Sequence, residues 1–395
     1  MRTRIQASKI LISGSWVQQP SLLIEDGYIV GIEAGERSSA AKSERQIDYA
    51  DAALVPAFFD VHMHGACGHD VMGGTGEDLD AIGTFLSRHG IGSYFATTVT
   101  APEEKILHAL DGLATQIERQ NHPGARPVGI HLEGPFLSCE KRGVHPKEYI
   151  QPPSVEQFER YWQAARGHIA LMTIAPEVPG ALATIRHATA KGVRISIGHS
   201  NARTAEAQAG IAAGAVSATH AFNAMRPLDH RDPGILGVVL DCDDLYTEII
   251  CDKIHVAPEM IRLFWKAKGP ARSILVTDAM SATGMPDGTY QLGPLTVTVA
   301  NGTCLSEGRL AGSVLTLDRA LQNFLECTGC TMEDAVRCLT ANPAAMTGRE
   351  GTLGDLRVGM PADIAVLSAD GTVRATLLRG REVSGQRKAI LCKCG

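Results

Sequence analysis

The chain has 395 residues, with 37 Lys and Arg against 43 Asp and Glu and a formal net charge of −6. That balance leaves no bulk basic face for a nucleic acid or an anionic membrane, so both are excluded as principal partners. With 44% hydrophobic and 20% charged residues, the chain can bury the core of one large domain plus a smaller one, which excludes disorder as its main state.

The N-terminus carries no signal-peptide core, and no apolar run reaches the length of about 18 residues that a membrane span needs; a soluble cytoplasmic protein is expected. The ten cysteines are scattered. Only Cys327/Cys330 and Cys392/Cys394 lie close together, and neither has a second pair at zinc-finger spacing. Reduced structural thiols are therefore expected.

Along the first 54 residues, short apolar runs recur at 10–12, 21–24 and 28–32. Glu25-Asp26-Gly27 is a tight-turn signal between the last two, which predicts a hairpin. The end of the chain has the same texture: 362–367, a turn at Asp370-Gly371, then 373–378 and 379–383. Matching texture predicts that 1–54 and 348–395 share one small β-domain. Between them, 55–347 alternates short apolar runs with helical stretches such as 179–191 and 203–213. Eight runs read as strands: 54–62, 92–98, 128–133, 169–175, 193–199, 217–220, 245–252 and 273–278. Eight strand–helix units of this kind predict an α/β fold, a TIM-type (β/α)8 barrel.

Active sites of such barrels sit at the C-terminal ends of the strands, and the ionisable residues fall there. His62 and His64 end the first strand, Glu133 the third, His199 the fifth, His220 the sixth and Asp278 the eighth, with His255 just past the seventh. In a strand, residues two apart share a face, so both imidazoles of His62-Met63-His64 can point at one ion. Two histidines and a carboxylate with an open position make a hydrolytic metal site; Glu133, His199 and His220 supply that set. His131 shares the strand face of Glu133 and can support it from behind. Asp278 is the candidate acid/base, able to take a proton from the attacking water and return it to a leaving amine.

These residues stand in segments that resemble the N-acetylglucosamine-6-phosphate deacetylases of the amidohydrolase superfamily. The segments are 56–65, 131–136, 141–145, 198–200, 219–225, 254–256, 277–280 and 310–313, and the resemblance covers nearly the whole chain. It implies a barrel inserted into a β-sandwich built from both termini. It implies one metal site at Glu133, His199 and His220, with His62 and His64 completing a second. The cofactor implied is a divalent metal, zinc or iron(II), one or two ions per subunit. Asp278 matches the catalytic aspartate and His145 the histidine that polarises the substrate carbonyl.

The resemblance also implies substrate contacts. Asn223 and Ala224 match sugar-binding positions, Arg231 and His255 match phosphate partners, and Leu310, Ala311 and Gly312 lie against the sugar. The partner implied is a small amino-sugar phosphate, and a homodimer is expected in which Arg231 serves the neighbouring subunit's site. Two departures stand out. Lys253 occupies a position that is usually glycine; it either adds positive charge near the phosphate or points to solvent, and solvent is expected. Val144 replaces a smaller residue and narrows the acetyl side of the pocket. Segments 230–234 and 284–288 also resemble the N-acetylgalactosamine-6-phosphate deacetylases, so the C4 epimer is the alternative substrate. A cyclic-imide hydrolase or N-acyl amino-acid deacylase is opposed by Arg231 and His255, and an inactive scaffold by the intact ligand set.

Overall fold

Asp26 and Gly27 both take left-handed backbone, φ 51° and 84°. The two-residue turn they form twists in the same sense as its strands, and it joins Pro20–Glu25 to Tyr28–Ala34 with Glu25 opposite Tyr28. In the computed structural model, which describes residues 2–34 and 45–383, this hairpin borders a sheet built from both ends of the chain. Arg2–Ile12 pairs antiparallel with Pro20–Glu25 and Ser15–Gln18, and parallel with Arg45–Pro56. Arg45–Pro56 pairs antiparallel with Ile364–Leu367, which continues to Val373–Leu378 and Arg381–Glu382.

The sheet curls back on itself. Ile29 N–H donates to Met360 O and Gly359 N–H to Ile29 O, so the hairpin border meets the segment leading into Ile364–Leu367. The enclosed face holds Ile5, Ile10, Leu22, Leu54, Ile364 and Leu377 in a core of its own. Cys392 and Cys394 lie outside the described residues; Cys327 and Cys330 are free thiols.

Eight parallel strands form the barrel: Phe58–Met63, Ile91–Thr98, Arg126–Glu133, Ile169–Ile174, Arg194–Ile197, Ala215–Ala218, Tyr246–Ile250 and Ser273–Val276. They are hydrogen-bonded in that order. Every residue of Phe58–Met63 and Ile91–Thr98 is buried, as strands covered on both faces require. The ring closes just beyond its last strand. Asp278 N–H donates to His62 O at 2.9 Å, and His64 N–H to Ala279 O at 2.7 Å. Closure therefore falls on the residues of the candidate site.

Helices fill the crossovers. Glu103–Glu118 buries Ile106, Leu110 and Leu113, a spacing of three and four that keeps them on one face; each contributes about 1.5–3 kcal/mol by leaving water. Ala181–Ala190 and Thr204–Ala213 lie where the sequence places helices. Among the described residues no helix is long and apolar enough to cross a membrane.

The sequence reading assigns no element to 288–310, yet a four-stranded antiparallel sheet stands there: Gly288–Leu292, Leu295–Ala300, Thr303–Ser306 and Arg309–Leu310. The alternation of Thr296, Val297, Thr298 and Val299, exposed and buried in turn, is its local signature. This sheet packs Leu292, Val297, Val299 and Cys304 against Val99, Met280 and Ala282 near the mouth of the barrel.

Candidate active site

His199, His220 and Asp278 share a backbone feature. Each stands two residues past its barrel strand, the strands ending at Ile197, Ala218 and Val276, and each has positive φ: 46°, 27° and 51°. Left-handed backbone costs a non-glycine residue about 1–3 kcal/mol and persists only where the surroundings enforce it. Here the turn sets three side chains at the cavity that forms the barrel's mouth, where His199, His220 and Asp278 all line the wall. Glu133, the last residue of its own strand, is followed by Gly134 at φ 83°, where a Cβ would stand 2.1 Å from Thr100 Oγ1. Only glycine fits that turn.

Glu133 sits at the centre. Its Oε1 lies 3.3 Å from both His199 Nε2 and His220 Nε2, and its Oε2 lies 3.4 Å from His62 Nε2 and 3.3 Å from His64 Nε2. His199 Nε2 and His220 Nε2 are 3.1 Å apart. Asp278 Oδ1 stands 3.0 Å from His64 Nε2 and 3.7 Å from His62 Nε2. All six side chains are buried. Four imidazoles from three parts of the chain thus surround one carboxylate, with Asp278 beside two of them.

The far side of most of these rings is held. His62 Nδ1 donates to Glu248 Oε2 at 3.0 Å, His64 Nδ1 to Thr97 O at 2.9 Å, and His199 Nδ1 to Lys141 O at 3.0 Å. In each case Nδ1 carries a proton toward its acceptor, which turns Nε2 inward, where a metal ion can take the place of a proton. His131 packs behind, its ring centroid 4.6 Å from that of His62. Burial first, then the charge of His62, holds its pKa well below the usual imidazole value.

Two further observations fit a cation. His62 Nε2 and Glu133 Oε1 are buried with no hydrogen-bond partner, a costly state that coordination removes. The carboxylates also favour one. Burial opposes ionisation of His62 and His64, yet Glu133, Asp278 and, for His62, Glu248 outweigh it; His62 is raised well above its ordinary pKa and His64 to about 9. Burial likewise opposes the charge on Asp278, but the His64 hydrogen bond and the charges of His62 and His64 hold its carboxyl well below the usual range. The pocket therefore calls for positive charge. Donors about 2.0–2.1 Å from one tetrahedral zinc lie roughly 3.3 Å from each other, close to the separations around Glu133 Oε1.

His145 stands at the rim, Nε2 3.9 Å from Glu133 Oε2. Its Nδ1 accepts Thr100 N–H at 3.3 Å and contacts Thr100 Oγ1 at 2.8 Å. Burial, then the charge of His199, lowers its pKa to about 3. A neutral ring with Nδ1 accepting carries its proton on Nε2, on the side of the cavity. His255 Nδ1 pairs with Asp252 Oδ2 at 2.6 Å. Burial disfavours its charge, but Asp252 outweighs that and raises its pKa.

Val144, Asn223, Ala224, His255, Leu310 and Gly312 line the same cavity. Ala311 is buried beneath it, its N–H donated to Cys304 O. Arg231 is not brought to the cavity: it is exposed, with its N–H bonded to Asp229 Oδ1 at 2.8 Å. Lys253 does not simply point to solvent but pairs with Glu326 at 2.7 Å. The sequence reading omits Glu248, Thr97 and Thr100. A carboxylate inside the apolar strand Tyr246–Ile250 was the available signal for Glu248.

The sequence pattern of the amidohydrolase family matches residues 53–383. The chain is 36% identical over 384 residues to the N-acetylglucosamine-6-phosphate deacetylase of Bacillus subtilis (strain 168), covering 95% of this chain and 97% of that one. It is 35% identical over 381 residues to the N-acetylgalactosamine-6-phosphate deacetylase of Escherichia coli O157:H7, covering 96% and 99%. Among solved structures it resembles a mutant N-acetyl-D-glucosamine-6-phosphate deacetylase from Mycobacterium smegmatis in complex with N-acetyl-D-glucosamine-6-phosphate. The TM-score is 0.90 at 34% identity, covering 97% of this chain and 100% of that one. The chain belongs to the amidohydrolase family, in the group of the N-acetylglucosamine-6-phosphate deacetylases.

Proposed function

We propose that this chain hydrolyses the acetamide of N-acetyl-D-glucosamine 6-phosphate to acetate and D-glucosamine 6-phosphate. The observation that carries the reading is the carboxylate of Glu133 flanked on both oxygens by inward-facing imidazoles, with Asp278 beside them. Glu133, His199 and His220 would hold one divalent ion, zinc or iron(II), and His62 and His64 a second. A bound ion supplies Lewis acidity, acidifying a water and polarising the acetamide carbonyl.

The chain's own groups do the rest. Asp278, kept ionised by its histidine neighbours, takes a proton from the attacking water. It returns that proton to the amine nitrogen, so that the C–N bond breaks with a neutral amine leaving. His145 donates Nε2–H to the carbonyl oxygen as negative charge develops there. His255, held by Asp252, offers a cation to the phosphate, and Asn223 and Ala224 face the sugar. Arg231, exposed on its own subunit, reaches the phosphate of a neighbouring one in a homodimer; its planar fork suits a phosphate dianion. The eight free thiols of the described residues fit a reducing cytoplasm.

Steady-state rates on the two N-acetylhexosamine 6-phosphates test the reading, with chelated protein resupplied with one defined metal at a time. The expected result is turnover that needs the metal and a higher kcat/KM for the gluco epimer. Preference for the galacto epimer would transfer the assignment to the function named for the Escherichia coli relative. No turnover of either with metal restored would overturn it.

A further inference from the structure

One part of the cavity wall, which includes Val144, takes no part in the catalytic steps above. Val99, Val144, Leu292 and Leu295 line it and pack together in one apolar cluster. Leu292 and Leu295 are opposite each other at the tip of the hairpin formed by Gly288–Leu292 and Leu295–Ala300. Between them, Gly293 has φ 53°, and a Cβ there would stand 2.2 Å from Val99 Cγ2. The tip is thus pressed against the wall as closely as backbone allows.

The same tip borders open space. Gln291, Gly293 and Pro294 line a second cavity of about 430 Å³, whose other walls include Met72, Ala101, Lys105 and His108. A hairpin with space behind it can retreat without displacing packed side chains. One half-buried group spans the gap. Asp70 Oδ2 accepts Gly293 N–H at 2.7 Å, and its Oδ1 accepts Met72 N–H at 2.8 Å. Asp70 belongs to the loop that follows His64, and Val71 N–H donates to His64 O at 2.9 Å. The tether therefore runs from the hairpin tip to the backbone of the first barrel strand's histidine pair.

We propose that Asp70 is a positioning residue that holds the tip of this hairpin as the wall against the substrate's acyl group, and so restricts the site to acetyl-sized N-acyl groups. The inference rests on the deacetylase reading above. Its chemical argument is complementarity. The sugar hydroxyls and phosphate match Asn223 and His255, whereas the acyl methyl is the apolar end of the substrate, and the apolar wall is what remains to receive it. A carboxylate that accepts two backbone N–H groups makes charge-assisted hydrogen bonds, which are stronger restraints than neutral ones. A hydrophobic pocket of fixed depth discriminates one methylene by about 10–200-fold, and that discrimination disappears when a wall can move.

The test uses the metal-loaded enzyme and the N-formyl, N-acetyl, N-propionyl and N-butanoyl derivatives of glucosamine 6-phosphate. Asp70→Asn leaves an acceptor for Met72 N–H but turns an amide toward Gly293 N–H; Asp70→Ala removes both bonds. The expected result for Asp70→Asn is a propionyl-to-acetyl ratio of kcat/KM raised about tenfold over wild type. Faster hydrogen exchange in peptides covering 288–300, with bound metal unchanged, should accompany it. If Asp70→Ala fails to fold, Asp70→Asn decides alone. An unchanged acyl ratio in a folded Asp70→Asn enzyme that deacetylates normally would overturn the inference and leave the function intact. A wild-type enzyme inactive on every acyl derivative would instead overturn the function on which it rests.

Discussion

His62 and Glu248 are joined by a hydrogen bond of 3.0 Å between side chains of which no part is exposed. The carboxylate fixes the ring so that Nε2 faces Glu133, and it also approaches His220 N–H at 3.4 Å. A buried carboxylate behind a histidine raises the basicity of the inward nitrogen, and its loss costs about 10–100-fold in metal affinity. We expect Glu248→Gln to weaken binding at the His62/His64 site by that factor, read by chelator competition with metal analysis. An affinity equal to wild type would remove Glu248 from the site.

Asp278→Asn keeps the shape of the side chain and abolishes its basicity. Turnover should fall by about 10²–10⁴-fold, with bound metal retained. Near-normal kcat in a metal-loaded variant would assign proton transfer to another group.

Lys253 has φ 66° and pairs with Glu326, whose side chain is 73% exposed. An exposed pair contributes about 0–1 kcal/mol, while relieving left-handed backbone returns roughly 1 kcal/mol. Lys253→Gly should therefore leave stability within about 1 kcal/mol of wild type. Because Lys253 is not part of the cavity wall, KM should stay within about twofold, as steady-state kinetics will show. A large rise in KM would assign Lys253 to the phosphate site.

Asp318, near the start of helix Leu317–Thr328, accepts from His89 at 3.1 Å. Burial would raise its pKa, but the hydrogen bond and charge of His89, with bonds from Thr316 and the Arg319 N–H, lower it below the ordinary carboxylate range. A carboxyl lowered on folding stabilises the native state above its unfolded pKa, and that stability is lost as pH falls through the folded pKa. Asp318→Asn should thus destabilise the chain by about 1 kcal/mol at neutral pH. The difference from wild type should shrink below about pH 4, as denaturant melts across that range will test. A gap independent of pH would deny Asp318 this role.

Much of the site is legible along the chain because barrel chemistry is local to strand ends. An ionisable residue closing an apolar run, as at His62, Glu133, His199, His220 and Asp278, marks both a strand's limit and its exposure to the mouth. The termini disclose their shared β-character through turn dipeptides such as Asp26-Gly27 and Asp370-Gly371. Periodicity and turn chemistry depend on neighbours a few residues apart, which the sequence displays directly.

Partnerships across the fold were decided only by the tertiary structure. His62 and Glu248 lie 186 residues apart, and nothing in the local pattern of either names the other. The same holds for Asp70 and Gly293, 223 residues apart, and for Lys253, which finds Glu326 on a separate helix rather than solvent. Local sequence sets where a strand stops and which side chain ends it. Closure of the barrel sets which of those ends converge, and hence which carboxylate holds which imidazole at hydrogen-bonding distance.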